Sequence, residues 1–120
     1  MKKLALVALG LLLLATAATA SARRPPTASE KSKISNAIHN SSYTKSSGCF
    51  RVRDIHVSTK GPWARARVVP CKPGTTDPAD AAVRRTRGKW RLRELGTLGV
   101  GCDIATAAVR RDLRFSCGNQ

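Results

Sequence analysis

A chain of 120 residues with 4% aromatic residues has room for one small domain and a core short of large anchors, which excludes a multidomain enzyme. Lys and Arg total 22 against 7 Asp and Glu, a net charge of +15, and the few acids show no paired spacing of the glycosidase kind. The four Cys lie 22, 31 and 15 residues apart, without the C-x2-C pairs of a zinc site, so neither a metal nor a cofactor is expected.

Residues 1–22 read as a secretory signal peptide. Lys2 and Lys3 give a positive start, Leu4 to Leu14 an apolar run, and Ala18-Thr19-Ala20 and Ala20-Ser21-Ala22 two A-x-A cleavage patterns. Cleavage is expected after Ala20 or Ala22, giving a secreted or extracytoplasmic protein; an uncleaved chain would be membrane-anchored. Loss of Lys2 and Lys3 with that segment leaves a charge of +13. The mature domain is then small enough to need covalent support, and an even Cys count behind a signal peptide reads as a disulfide framework.

Residues 23–29, Arg-Arg-Pro-Pro-Thr-Ala-Ser, are expected to be a disordered linker, followed by a single domain over 30–120. Ser29 as N-cap and Glu30 in the first turn start a helix whose Ile34, Ala37 and Ile38 share a face. The Ser-, Thr- and Gly-rich stretch Asn40 to Gly48 ends it, and Asn40-Ser41-Ser42 is a glycosylation sequon.

Two alternating strands, Cys49 to Ser58 and Trp63 to Cys71, flank the turn Lys60-Gly61-Pro62. With Lys60 at the centre, Cys49 falls opposite Cys71, close to disulfide range. Such a bridge is worth about 3 kcal/mol in the chain-entropy model. Lys72 to Asp80 is a loop, Ala81 to Arg87 a third strand, Gly88-Lys89 a turn, and Trp90 to Leu95 a fourth strand. Gly96 to Gly101 leads to Cys102, and Asp103 caps a last helix carrying Ile104, Ala108, Val109 and Leu113. A helix running rigidly to Phe115 would be about 18 Å long and hold Cys102 away from Cys117. The helix must therefore stop near Arg111 for those two to bond. The expected pairs are Cys49–Cys71 and Cys102–Cys117, with Cys49–Cys117 and Cys71–Cys102 as the competing pattern.

The fold class is α+β: an N-terminal helix, a four-stranded antiparallel meander, a short C-terminal helix and two disulfides. The element order resembles cystatin-like folds, including the half-barrels related to nuclear transport factor 2, without a cystatin inhibitory motif. The stretch Gly88-Lys89-Trp90 to Leu95-Gly96-Thr97, with Val100-Gly101-Cys102 and Asp112-Leu113 to Cys117, resembles small secreted proteins of high-GC Gram-positive bacteria. That resemblance covers the last third of the chain and carries no catalytic residues.

Arginine supplies the candidate site. Arg51 and Arg53 share a strand face with Arg65 and Arg67, Arg53 falling opposite Arg67, while Phe50, Val52, Ala64, Ala66 and Val68 take the other face. Ile55, Val57 and Trp63 break the separation by falling on the Arg side. Arg91 and Arg93 point away from Trp90 and Leu92, and Arg84 can join them. The expected anion-binding set is Arg51, Arg53, Arg65, Arg67, Arg91 and Arg93, on one open sheet face. The bland alternative is a solvated face of a half-buried sheet.

Expected partners are an anionic cell-wall polymer, an anionic membrane surface or an acidic protein. A non-enzymatic binding or envelope-associated module follows. The competing readings are a ribonuclease-like enzyme using His39 and His56, and a protease inhibitor presenting Lys72 to Asp80. Glu94 and Asp54 are expected as Arg partners, and Gly96 to Gly101 as a flexible connection without the phosphate-loop pattern.

Overall fold

The computed structural model of the chain describes residues 22–118. Residues 1–21 of the expected signal peptide lie outside the described residues. Six elements follow one another: α1 (Ala28–His39), β1 (Phe50–Val57), β2 (Trp63–Pro70), β3 (Ala79–Thr86), β4 (Lys89–Gly96) and α2 (Ala107–Leu113). The strands form one antiparallel sheet in the order β1-β2-β3-β4, which is the expected meander.

The lead-in to α1 is better tied than its composition suggests. Thr27, not Ser29, caps the helix: its hydroxyl accepts from the Glu30 N–H at 3.1 Å, and the Glu30 carboxylate accepts from the Thr27 N–H at 3.0 Å. This Thr-x-x-Glu capping box satisfies two N–H groups that the first turn leaves free. The Arg24 guanidinium donates both ways to Glu30, at 2.7 and 2.8 Å. The Arg24 backbone pairs with Val57 through bonds of 2.9 and 2.8 Å. Pro25 and Pro26, which lack an N–H, confine that pairing to one bridge. Residues 23–29, expected as a disordered linker, are thus a sheet-edge contact followed by a capped helix start.

Two β-bulges set the faces of the sheet. The β1–β2 pairing runs as expected from Phe50↔Pro70 to Arg53↔Arg67, then shifts to His56↔Arg65 and Val57↔Ala64. Asp54, with φ of 51°, occupies the bulge. One extra residue reverses the alternation, so Ile55 and Val57 join Phe50 and Val52 on the core side. A second shift, between Ala82↔Glu94 and Val83↔Leu92, leaves Arg93 as the extra residue of β4.

The first core packs α1 on the sheet. Ile34 and Ile38, fully buried, meet Val57, Ala64, Ala66, Val68, Ala81, Val83, Trp90 and Leu92. Small Ala side chains in the centre of the sheet let the helix approach closely.

A second core occupies the other face. Trp63 and Ala82 are covered by Val100, Ala105, Val109, Leu113 and Phe115. The face expected to be open is therefore capped in its middle. The cap is built from a helix shorter than expected: Thr106, not Asp103, is its N-cap, and residues 102–105 are turns closed by Cys102 N–H to Gly99 O and Ala105 N–H to Gly101 O. The chain turns back at Arg114, with φ of 58°, where Phe115 N–H donates to Arg110 O. That reversal brings Cys117 to Cys102 with Cα atoms 5.5 Å apart. Cys49–Cys71, the other bridge, spans 5.4 Å at the end of the β1–β2 pair. Both expected disulfides form.

Candidate anion-binding face

The face carrying α2 is a grid of three cross-strand rows. The first is Arg53, Arg67, Asp80 and Gly96; the second His56, Arg65, Ala82 and Glu94; the third Trp63, Arg84 and Arg91. Two Arg–Arg pairs stand directly opposite one another, Arg53↔Arg67 on β1–β2 and Arg84↔Arg91 on β3–β4. They occupy diagonally opposite corners, because the second core covers Trp63 and Ala82 between them. The single continuous arginine face of the sequence reading is thus divided in two.

Arg65 leaves the expected set of free cations. Its Nη1 donates to Leu113 O at 3.2 Å and Arg114 O at 2.6 Å, and its Nη2 to Asp80 at 3.0 Å. Its guanidinium also lies 5.7 Å from the centre of the Phe115 ring. These contacts cap the carbonyl end of α2, where a cation is favoured. Arg84 stacks over Trp63 at 5.6 Å. Arg51, Arg53, Arg67, Arg91 and Arg93 are exposed, Arg51 pairing in register with Val69 and Arg93 standing at the β4 bulge. β4 is an edge strand, and Lys89, Arg91 and Arg93 along it also discourage edge-to-edge pairing with another chain.

The cations concentrate at the β1–β2 corner. A cleft of about 340 Å³ there is lined by Arg23, Asp54, His56, Arg65, Arg67 and Asp80. Burial, then repulsion from Arg114 and Arg65, lowers the affinity of the Arg23 guanidinium for its proton. His56 Nδ1 lies 3.0 Å from the Asp54 carbonyl oxygen. A carbonyl can only accept, so Nδ1 carries the hydrogen. Two acids, Asp54 and Asp80, share the lining; Asp80 is engaged by Arg65, which leaves Arg23 and Arg67 as the guanidinium groups without that partner. A ligand with several anionic oxygens would find separate guanidinium donors here, each able to bind an oxyanion in bidentate fashion.

Arg23 and Asp80 are absent from the sequence-level site. Arg23 falls in a segment whose composition reads as a disordered linker, and its place becomes evident only when Arg24 pairs with Val57. Asp80 reaches Arg65 only in the β2–β3 register, where the two are diagonal neighbours. Glu94, expected beside an arginine, instead accepts the Gly101 N–H at 3.1 Å. His39 stacks on Phe50 at 4.4 Å on the α1 side, whereas His56 faces the α2 side, so the two are not brought together. Among the described residues, no three His, Cys, Asp or Glu side chains are placed to share a metal ion, and no helix is long and apolar enough to cross a membrane. Comparisons with protein-family models, curated proteins and solved structures find no match for the chain.

Proposed function

We propose that the protein is a secreted, non-enzymatic binding module that holds an anionic cell-envelope polymer against its β1–β2 corner. The observation that carries this reading is the cross-strand pair Arg53↔Arg67, with Arg67 sharing a cleft with Arg23 and Arg65, a crowding of guanidinium groups that a ligand would relieve. Like charges directly opposite are unfavourable, and a phosphate or carboxylate between them reverses the sign of the interaction. A second facing pair, Arg84↔Arg91, lies across the capped centre. A long flexible polyanion can reach both corners, whereas a small dianion can reach one.

Export rests on Lys2-Lys3, the apolar run Leu4 to Leu14 and the two A-x-A patterns. The two disulfides fit an oxidising compartment outside the cytoplasm.

Retention on immobilised teichoic acid, followed as salt is raised, tests the proposal. Binding should weaken steeply with salt, and Arg53→Ser/Arg67→Ser should lower both the affinity and the salt dependence, because fewer counterions are released. No retention at low salt, or identical retention by the double variant, overturns it. Binding to anionic vesicles with none to the polymer would also overturn it, in favour of a membrane surface.

A further inference from the structure

A groove of about 740 Å³ lies between α1 and β4, against about 340 Å³ for the cleft at the β1–β2 corner. One wall is helical. Lys33, Asn36, Ala37 and Asn40 recur at i, i+3, i+4 and i+7, so they share a stripe of α1 beside the buried Ile34 and Ile38. That stripe is about 10 Å long. The other wall is the start of β4, an edge strand, from Lys89 to Leu92. The floor is apolar: Trp90 and Leu92 are buried and Ala37 is half-buried. The Arg85 guanidinium lies 5.6 Å from the centre of the Trp90 ring and holds it in place. Ala37 carries only a methyl group, which leaves the middle of the helical wall hollow.

The chemistry of the lining indicates what the groove takes. Lys33 on one wall and Lys89 and Arg91 on the other supply three cations, and among the described lining residues there is no Asp or Glu. The side chains of Lys33, Asn36, Asn40, Lys89 and Arg91 have no hydrogen-bond or ion-pair partner among the described residues. Cations alone would suit a bare oxyanion. The amides of Asn36 and Asn40 each donate and accept, which suits hydroxyl groups that do the same. An apolar floor with a few polar groups above it suits a ring held by its C–H face. Arg91 also pairs across the strands with Arg84, so the groove adjoins the second arginine corner.

We infer that the groove between α1 and β4 binds a sugar unit with an anionic oxygen group beside it, as one repeat of a glycosylated polyanion. The inference rests on the envelope-polymer reading above and adds a specificity that charge alone lacks.

The test compares two immobilised polymers at matched phosphate content: poly(glycerol phosphate) teichoic acid, and the same polymer bearing glucose substituents. The parent chain should bind the glucose-bearing polymer about tenfold more tightly. Ala37→Leu fills the hollow with a good helix former, and Asn36→Ala/Lys89→Ala removes polar groups at exposed positions. Each should bring the two affinities together. Arg53→Ser/Arg67→Ser should weaken binding to both polymers and keep their ratio. Equal binding of the two polymers by the parent chain overturns the inference and leaves the proposed function intact; retention of neither overturns both. A tenfold preference that survives in either folded groove variant places the sugar elsewhere and also overturns the inference.

Discussion

One sheet is closed on its two faces by different means. On one side α1, three turns long, lays Ile34 and Ile38 into a row of alternating apolar residues. On the other, α2 has only seven residues, below the length at which a helix supports itself. Its place is fixed by the Cys102–Cys117 bond, by Arg65 bridging its last carbonyls to Asp80, and by Asp112 reaching the β1–β2 turn. The first face is closed by apolar area, which is cheap to encode in alternation. The second is closed by a few specific links, and those links spend side chains, Arg65 above all, that would otherwise be free to bind ligands.

The strongest way to break this contrast is to weaken each face separately. Ile34→Ala removes a fully buried side chain from the α1 core and should cost about 2–5 kcal/mol. Cys102→Ser with Cys117→Ser should cost about 3 kcal/mol, the value for a loop of 15 residues. The two losses should differ in extent. Amide hydrogen exchange should rise over the whole sheet in Ile34→Ala, but mainly over residues 99–117 in the Cys pair variant. Equal spread of exchange in both would mean that the two faces open as one unit.

A smaller and more local break is Gly101→Ala. Gly101 has φ of 79°, and a Cβ there would come within 2.9 Å of the Phe115 ring. Strain and steric overlap together should cost about 1–3 kcal/mol, read from the denaturation midpoint. Gly99, with φ of 65° but open space around its Cβ position, is the control: Gly99→Ala should cost less, because only the backbone strain remains.

The same contrast governs what could be read from the chain. The α1 face was legible because Phe50, Val52, Ala64, Ala66 and Val68 alternate, and the Cys49–Cys71 bridge followed from the same register. Even the bulge had a signal: in an unbroken register Ile55 and Val57 fall among the arginines, and that misfit is what Asp54 repairs. The α2 face was not legible. Arginine at alternate positions looks like a solvated surface, and a seven-residue helix holds too few turns to show a period. Its partners are far apart in sequence, as with Ser58 and Asp112, so no local pattern announces them. For the candidate site, the Arg53↔Arg67 pair could be read directly. The nearness of Arg23 to Arg67 could not, because a run of Arg and Pro has no pattern that predicts a sheet-edge contact.

Acid offers the gentlest comparison, since each helix is anchored by one carboxylate. Arg24's paired hydrogen bonds, then those from Thr27, hold Glu30 down at about 2. Burial pushes Asp112 up, but the bonds from Ser58, Thr59 and Arg23 outweigh it and leave the group below its ordinary value. In both cases the unfolded chain binds a proton at a higher pH than the folded one does. Stability therefore rises with pH through the interval between the two pKa values. For Glu30 the contribution is complete above about pH 4.5, and it is lost as pH falls toward about 2. Its size should be about 1 kcal/mol, because the side chain of Arg24 is 43% exposed and water screens the pair. Denaturant midpoints measured from pH 6 to pH 2 should fall less steeply in Glu30→Gln than in the parent chain. Asp112→Asn should flatten the curve too, but with its effect concentrated on exchange at the α2 end. If Glu30→Gln kept the full acid slope, the capping box and the Arg24 pair would not be what anchors the start of α1.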